Sequence, residues 1–345
     1  MITKPAMTPE REAFYSRLRT RNMEPLWEVF AKRFPPNPKP QMIAALWRFD
    51  EMRPLLMEAG SLLTPEEAER RVLVLENPGL RGTSQITNSL YAGLQLILPG
   101  ETAPCHRHAA SALRFVLEGN GAYTAVNGER TTMHPGDFIV TPSYTWHDHG
   151  NPGTEPTIWM DGLDMPLVNL LDAAFGERPA EQPEAVEEGD SPARYGANML
   201  PVDFTPDRPS SPLFTYPYAR TREALDRVSR TGPIHDSHGV KMRYVDPATG
   251  GYPMRTLGAF VQLLPRGFRG AAYRQTDATV YCAMEGRGRT RIGEMTFSWG
   301  PRDIFVVPSW TPAAHEAEEE AVLFSMSDRP AQQALGLWRE HVPAT

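Results

Sequence analysis

The sequence contains little of what several protein classes require. Its 345 residues include only two cysteines, Cys105 and Cys282, which are too few and too far apart for a disulfide framework. The formal net charge is −7, which argues against nucleic acid as a partner because phosphate binding needs a basic face. No apolar run approaches the roughly 20 residues of a membrane helix, and no apolar leader segment is visible. We therefore expect a cytoplasmic protein that binds neither nucleic acid nor membranes.

Proline and glycine, by contrast, are abundant. The 34 prolines and 27 glycines favour a turn-rich β architecture over a helical bundle. Hydrophobic residues make up 41% and charged residues 22% of the chain, a balance typical of a globular protein. A local cluster of arginines can still bind a small anion, because local charge can differ in sign from the net charge.

The N-terminal part of the sequence predicts helices. The Thr-Pro pairs at residues 8–9 and 64–65 are typical of helix starts, with threonine as the cap and proline in the first turn. Between them, residues 41–60 have helical spacing that is interrupted at Pro54. We therefore interpret residues 1–70 as a helical cap.

After residue 70 the hydrophobic period changes from that of a helix to that of a strand. Short alternating segments are separated by close turns, and Asn127-Gly128 is a strong hairpin signal. Residues 285–310 repeat the pattern of residues 118–144: a Glu-Gly-x-Gly start, a turn with proline, an aspartate, an apolar strand and a Pro-Ser end. The repeat predicts two related domains.

The predicted architecture is therefore dominated by β-strands, with two barrel or jelly-roll domains. The first domain covers residues 71–175 and the second covers residues 194–345. The segment 176–193 between them is acidic and rich in proline, which is typical of a solvated linker. Residues 330–342 predict a closing helix.

Two histidines, His106 and His108, stand one residue apart in a predicted strand, so their side chains point to the same face. Together with Gly100 they resemble the first cupin motif, G-x5-H-x-H. The second cupin motif is matched by Gly136, Pro142, His147 and Asn151. We expect His106, His108 and His147 to bind one metal ion.

The glutamate that usually completes a cupin metal site is missing, because Ala112, Leu113 and then Arg114 follow His108. Three neutral imidazoles leave the charge of a divalent ion uncompensated and leave up to three coordination positions open. Such a site suits an anionic chelating substrate together with O2. We expect one Fe(II) per chain, with zinc as the alternative because zinc also uses three-histidine sites.

The second repeat carries none of these ligands. Tyr273, Gln275 and Ala313 stand at the positions of the three histidines. His315 matches His149, which is not among the expected ligands. The sequence therefore predicts a metal-free, structural second domain.

Several segments carry a family resemblance that covers nearly the whole chain. The sequence resembles the bicupin gentisate 1,2-dioxygenases and the related salicylate, 5-nitrosalicylate and 1-hydroxy-2-naphthoate 1,2-dioxygenases in EPLW, RRVLVLENPGL, LYAGLQLILPGETAPCHRHAASALRFVLEG, WMDGLDMPL, RYVDPATGG and DIFVVPSW. The resemblance implies a bicupin fold with an N-terminal helical cap and a short C-terminal helix. It also implies Fe(II)-dependent cleavage of gentisate by O2 between C1 and C2, giving maleylpyruvate, and a homotetramer.

The resemblance also points to residues that bind the substrate. Arg114 enters the cavity if the even-numbered residues of its strand face inwards, and it can then pair with the substrate carboxylate; a surface arginine is the alternative. Arg70, which precedes Arg71, matches a second arginine on the carboxylate side of the family pocket. Tyr91 and Gln95 share one face of the preceding strand and match a pocket aromatic and a pocket glutamine of the family; packing inside the barrel is the alternative for both.

Two further residues are candidates for the chemistry. His149 lies two residues after His147, so it faces the same way and can hydrogen-bond to the substrate or to oxygen. Asp161 matches a pocket acid of the family that orients His149 or an arginine. A solvated loop histidine and a structural turn aspartate are the alternatives.

Other functions remain alternatives on sequence alone. 5-Nitrosalicylate, salicylate and 1-hydroxy-2-naphthoate are alternative substrates. A zinc or manganese cupin such as a sugar isomerase is an alternative enzyme, although a polyol pocket does not call for arginines and aromatics. A ligand-binding bicupin is the non-enzymatic alternative, although storage cupins usually lack intact metal ligands.

Overall fold

The structure is a computed structural model that describes residues 6–179, 187–188, 190–206 and 210–341. It divides into one compact unit up to Lys39 and a second unit from Pro40 onwards. The first unit consists of helices α1 (Pro9–Arg19) and α2 (Leu26–Arg33). The hydroxyl of Tyr15 joins them, because it donates to Glu28 Oε1 at 2.8 Å and accepts from Trp27 Nε1 at 2.9 Å.

The second unit consists mainly of short strands. Its helices are α3 (Phe49–Leu62), α4 (Pro65–Ala68), α5 (Met165–Leu170), α6 (Asp190–Tyr195), α7 (Tyr218–Thr231) and α8 (Arg329–Ala334). Its strands up to residue 216 are β1 (Ala45–Trp47), β2 (Val72–Val74), β3 (Tyr91–Ile97), β4 (Thr102–His108), β5 (Ala112–Glu118), β6 (Tyr123–Val126), β7 (Glu129–Thr132), β8 (Phe138–Thr141), β9 (His147–Gly150), β10 (Thr157–Leu163), β11 (Gly176–Glu177), β12 (Glu187–Glu188) and β13 (Thr215–Tyr216). The later strands are β14 (Val240–Arg243), β15 (Gly258–Leu264), β16 (Arg274–Gln275), β17 (Thr279–Glu285), β18 (Gly288–Ile292), β19 (Met295–Trp299), β20 (Ile304–Val307), β21 (Ala313–Ala317), β22 (Ala321–Ser327) and β23 (Glu340–His341).

These strands form two related two-sheet domains. The first domain contains a large sheet in the order β13-β8-β5-β10-β3-β2 and a facing sheet in the order β11-β4-β9-β6-β7-β12. The second domain contains a large sheet in the order β1-β20-β17-β22-β15-β14, a facing sheet β19-β18-β21, and the short pair β16-β23. The prediction of a β-dominated architecture with two related domains is confirmed.

The turn between β6 and β7 shows how local sequence sets this fold. Asn127 and Gly128 have φ values of 49° and 86°, which a two-residue hairpin turn of this twist requires. Val126 is paired with Glu129 across the turn. The predicted hairpin is therefore confirmed, and it places β6 beside β9.

The structure corrects two helix predictions. Residues 45–47 form strand β1 rather than helix, because they pair with Val306, Phe305 and Ile304 in the second domain. Helix α3 begins only at Phe49, whose backbone N–H donates to Asp303 Oδ1 at 2.8 Å, and Pro54 lies inside it.

The predicted closing helix over residues 330–342 ends at Ala334. A glycine with positive φ, Gly336 (69°), follows soon after and does not continue a helix.

Short strands also connect the two domains. Strand β1 belongs to the large sheet of the second domain, and β13 belongs to that of the first. The domain boundaries that the sequence places at residues 70, 175 and 193 stay a prediction. Of the predicted linker 176–193, residues 180–186 and 189 lie outside the described residues, whereas Gly176 and Glu177 form β11 beside β4.

The main core lies where the two large sheets pack face to face. Odd-numbered residues of β5 such as Phe115 point into it, and the Phe115 ring stacks on Phe324 of β22 with centroids 4.1 Å apart. Gly162 permits the close approach, because a Cβ there would lie 2.2 Å from Met326 Sδ. The even-numbered residues of β5 therefore face the interior of the first domain, where Val116 packs against Trp159. Within the described residues, no helix has the length and apolar character to cross a membrane.

Candidate active site

Three histidines meet between the sheets of the first domain. His106 and His108 lie on β4, and His147 lies on β9 opposite His106 in the antiparallel register. Their ligand nitrogens lie within 4.8 Å of one another, and the ring centroids are 4.4 to 5.2 Å apart. Among the described residues, this is the group of three histidine, cysteine or acidic side chains that can bind a metal ion.

Backbone carbonyls set the tautomers of two of these rings. His108 Nδ1 lies 2.7 Å from Ala110 O, and His147 Nδ1 lies 3.0 Å from Thr145 O. A carbonyl oxygen can only accept, so Nδ1 of each ring carries a proton and the Nε2 lone pair is available to a metal. Burial lowers the pKa of both histidines below its usual value, so the rings are neutral, as metal ligands must be.

The third ring, His106, contacts Arg70. Arg70 Nη2 lies 2.6 Å from His106 Nδ1 and 2.6 Å from Pro104 O. Burial and the nearby Arg70 charge lower the pKa of His106 to about 3. The neighbouring Arg71 points away and pairs with Glu101 at 2.5 Å, so Arg70 and not Arg71 lies at the cluster.

The Arg70 contact and metal binding are mutually exclusive at His106. An arginine N–H can only donate, so His106 Nδ1 accepts in this contact and the ring proton is on Nε2. When Nε2 binds a metal, the proton is on Nδ1 and requires an acceptor. Pro104 O stands two residues earlier, as Thr145 O does for His147, and can be that acceptor. Metal binding through Nε2 of His106 therefore requires Arg70 to leave this position.

Arg114 and Asp161 form a buried charged pair beside the histidines. Arg114 is on β5 and only 3% exposed, which places its guanidinium inside the domain. Its Nε lies 3.7 Å from Asp161 Oδ1 on β10, and its Nη1 donates to Thr141 Oγ1. Trp159 Nε1 donates to Asp161 Oδ1 at 2.9 Å. Burial raises the pKa of Asp161 to about 6, and the Arg114 charge opposes that rise.

His149 lies deep in the same interior, at 1% exposure, with its ring centroid 6.0 Å from that of His147. Its Nδ1 is 2.9 Å from Thr124 Oγ1 on β6. Burial, Arg114 and Arg70 together lower the pKa of His149 well below its usual value, so the ring is neutral. Sequence reasoning missed Thr124, although the predicted hairpin could have placed it opposite His149.

Tyr91 and Gln95 line the inward face of β3. Gln95 is 4% exposed and stands opposite Trp159 in the register between β3 and β10. The Tyr91 hydroxyl is directed along this face, because a Cβ on Gly93 would lie 2.9 Å from it. Burial and the Asp161 charge raise the pKa of Tyr91, so the phenol stays protonated. The alternation predicted for this strand brings both side chains to the interior.

A cavity of about 740 Å³ opens onto this cluster. Arg70, His106 and His108 line it from one side, and β11 lines it from the other. Two ion pairs hold this segment beside the cavity: Glu177 of β11 pairs with Arg107 of β4 at 2.5 Å, and Arg178, which follows β11, pairs with Glu69. The cluster is therefore accessible to a small molecule.

Comparison with known proteins identifies the family. The cupin domain family matches residues 93–163, which contain the three histidines. Gentisate 1,2-dioxygenase 1 of Aquipseudomonas alcaligenes is 56% identical over 98% of this chain and 98% of its own length. This chain belongs to the gentisate 1,2-dioxygenase family.

Solved structures of this family share the fold of the whole chain. Salicylate 1,2-dioxygenase from Pseudaminobacter salicylatoxidans is 33% identical, with a TM-score of 0.92 over 98% of this chain and 99% of that chain. A structure of its adducts with gentisate is 32% identical, with a TM-score of 0.92 over 100% of this chain and 97% of that chain. The predicted bicupin fold is confirmed, and the two domains are called the first and second cupin below.

The second cupin has a different set of side chains where the first has its histidines. Tyr273 and Ala313 are bridged through their backbones, and the Tyr273 hydroxyl lies 2.9 Å from that of Tyr281. Gln275 donates to Thr279 Oγ1 at 2.8 Å. Among the described residues of this cupin no metal-binding group of three side chains occurs.

We expect one metal ion per chain, bound by the three histidines. Removing an outer-sphere partner of a metal ligand already lowers affinity about 10–100-fold, so His108→Ala should lower it further and leave the purified protein nearly metal-free. His134→Ala, which changes a histidine whose side chain is 61% exposed, is the matched control and should retain one ion. Elemental analysis after anaerobic Fe(II) loading measures both. Two tightly bound ions per chain, or one ion in His108→Ala, would contradict this assignment.

Proposed function

We propose that this protein is an Fe(II)-dependent gentisate 1,2-dioxygenase that cleaves the ring between C1 and C2 with O2 and forms maleylpyruvate. The observation that carries the proposal is a cluster of three neutral imidazoles with two arginines beside it. Arg70 lines the cavity together with His106 and His108, and Arg114 is buried behind them. Such a site attracts an anion that can also bind a metal. A 2-hydroxybenzoate, with its carboxylate and adjacent phenolate, has that chemistry.

The metal and its ligands fit this assignment. Bound Fe(II) would supply redox chemistry and open positions for the carboxylate and phenolate of the substrate and for O2. Zinc has no redox chemistry, so the dioxygenase relatives favour iron over it. His106, His108 and His147 contribute no negative charge, so the substrate supplies the compensating charge and binds best as a dianion.

Arg114 is the residue that we assign to the substrate carboxylate. Its guanidinium is buried, and its Nε has no hydrogen-bond partner in the described part of the chain. Its Nε lies 3.7 Å from Asp161 Oδ1 and its Nη1 donates to Thr141 Oγ1. The side chain is therefore fixed before a substrate arrives. Arg70 stands at the mouth and becomes available to the carboxylate once it leaves His106. We assign Asp161 the role of positioning Arg114.

His149, Gln95 and Tyr91 complete the pocket in this proposal. Nδ1 of His149 hydrogen-bonds to the Thr124 hydroxyl, so Nε2 is the ring nitrogen that is available to hydrogen-bond to the substrate or to oxygen. The Gln95 amide is a second polar group on the inner wall, and both can stabilise negative charge that develops on oxygen. Tyr91 presents a protonated phenol to the aromatic ring.

Relatives define the alternative substrates. The family includes a 5-aminosalicylate 1,2-dioxygenase of a Comamonas species, 36% identical over 96% of this chain and 90% of its own length. Salicylate, 5-nitrosalicylate and 1-hydroxy-2-naphthoate remain the alternatives to gentisate. The dioxygenase relatives argue against a sugar isomerase and against a ligand-binding bicupin.

We also propose that the protein is a homotetramer in the cytoplasm, and this proposal rests on the family resemblance.

The substitution Arg114→Met should reduce kcat/KM for gentisate by two to three and a half decades. Removing one partner of a buried charge pair costs roughly 3–5 kcal/mol. Inhibition by salicylate should weaken in parallel, whereas inhibition by phenol, which has no carboxylate, should be unchanged. Arg289→Met, an exposed arginine paired with Glu316 in the second cupin, is the control and should behave as the parent enzyme. If Arg114→Met weakened inhibition by salicylate and inhibition by phenol equally, a contact between Arg114 and the substrate carboxylate would be contradicted.

The reaction itself is tested with Fe(II)-loaded enzyme and four candidate substrates. Gentisate, 5-nitrosalicylate, salicylate and catechol are each supplied with ¹⁸O₂, and oxygen uptake and product mass are followed. We expect one O2 to be consumed per gentisate, with both labelled atoms in the ring-opened acid. Turnover of catechol without turnover of any carboxylated phenol would overturn the proposal, because the two arginines would then have no carboxylate to bind.

A further inference from the structure

The interior of the second cupin keeps polar residues at positions where the first cupin has its pocket. Gln262 on β15 matches Gln95 on β3, and His315 on β21 matches His149 on β9. The hydrogen bond to the histidine is also repeated: Thr290 Oγ1 lies 2.9 Å from His315 Nδ1. The second cupin thus lacks the metal ligands but retains the polar inner wall.

Several polar side-chain atoms in the interior of the second cupin are buried without a hydrogen-bond partner. Gln262, His315 and Ser325 are each 0% exposed, and they lie on three different strands. Within the described residues, both amide atoms of Gln262, Nε2 of His315 and Oγ of Ser325 have no hydrogen-bond partner. Leaving such a group without a hydrogen bond in the interior is unfavourable. A molecule that accepts and donates hydrogen bonds there would recover that cost.

A lysine adds a positive charge to the same space. Lys241 on β14 is paired with Gln262 in the antiparallel register, so both side chains point to the inner face. Its Nζ lies 5.2 Å from the ring centroid of Phe260 and 5.6 Å from that of Tyr281. No ion pair connects it to a carboxylate within the described residues. The first cupin has Val72 at this point of the sheet, opposite Gln95, so the charge is specific to the second cupin.

The charges of two carboxylates, Asp277 and Glu340, act on Lys241, but neither forms an ion pair with it within the described residues, and Asp277 is already engaged. Asp277 is buried, and its Oδ2 pairs with Arg329 Nε at 3.2 Å while its Oδ1 accepts from Trp338 Nε1 at 2.6 Å. Lys241 therefore has hydrogen-bond donors and aromatic faces around it and lacks a counter-anion of its own. An ammonium beside two aromatic rings, together with an amide, an imidazole and a hydroxyl, offers the groups that recognise a carboxylate.

We propose that the interior of the second cupin, between Lys241, Gln262 and His315, is a binding site for a small organic carboxylate. This site is separate from the three-histidine centre, and the proposal does not depend on the reaction catalysed there. Tyr273 and Ala313 exclude a metal like that of the first cupin, so the carboxylate binds through charge and hydrogen bonds alone.

The few lysines of the chain make this proposal directly measurable. The sequence has four lysines, and Lys241 is the only one after Lys39. Protein labelled with ¹³C at lysine Cε therefore gives four side-chain signals, and Lys241→Met identifies the relevant one. Burial, with a contribution from Arg329, lowers the pKa of Lys241 to about 7. The charged and titratable groups that act on it are Arg329, Asp277, Glu340, His238 and His315.

The experiment is an NMR pH titration of the full-length enzyme with and without sodium acetate or sodium benzoate. A carboxylate that binds the ammonium form should raise the titration midpoint of Lys241 by about one unit, which corresponds to tenfold tighter binding to that form. The other three lysines should not move. Sodium chloride at the same ionic strength should give no such rise.

Matched variants localise the effect. Gln262→Leu should abolish the rise, whereas Gln333→Leu, an exposed residue on α8, should preserve it. Arg114→Met in the first cupin should also preserve it, which separates this site from the substrate pocket. An unchanged Lys241 midpoint with both carboxylates, or an equal rise with chloride, would overturn the proposal.

Discussion

The antiparallel pairing of β4 with β9 is the constraint on which the site depends. That register sets His106 opposite His147, and the two-residue period of β4 adds His108 on the same face. A shift of one residue in either strand would turn these side chains to the other face. The pairing of β6 with β9 extends the arrangement, because it sets Thr124 against His149.

Burial of charge explains the chemistry of the interior. The three imidazoles are neutral because burial and the neighbouring arginines disfavour their protonated forms. Arg70 and Arg114 bring two positive charges near them, and Asp161 opposes these with a carboxyl whose pKa is raised to about 6. The interior therefore has an excess of positive charge, which increases when a divalent ion binds. An anionic chelating ligand balances this excess.

Much of this site was predictable from local sequence patterns. The motif spacing around His106 and His147, and the strand alternation that turns Arg114 inwards, follow from the period of a strand alone. The contact of Arg70 with His106 did not follow, because it depends on where β2 begins relative to β4. Strand β1 was also missed, since its partner β20 lies more than 250 residues away. Such long-range pairing leaves no signal in local periodicity.

The interior of the second cupin shows how a repeat can diverge. The threonine–histidine hydrogen bond is the same in both cupins, at 2.9 Å, whereas the metal ligands and Arg114 are replaced. In the second cupin Tyr281, at the strand position of Arg114, stacks on Phe305 and packs against His315. The two cupins thus differ because equivalent strand positions carry different side chains.

We propose that the three neutral histidines bind a metal ion whose charge is balanced by a carboxylated phenol. Anaerobic titration of Fe(II)-loaded enzyme with gentisate, followed by absorption spectroscopy, is the test. We expect a new absorption band that saturates at one gentisate per chain, and no band with hydroquinone, which lacks the carboxylate. Absence of a spectral change with gentisate, or an equal change with hydroquinone, would show that the metal does not bind a carboxylated phenol in this way.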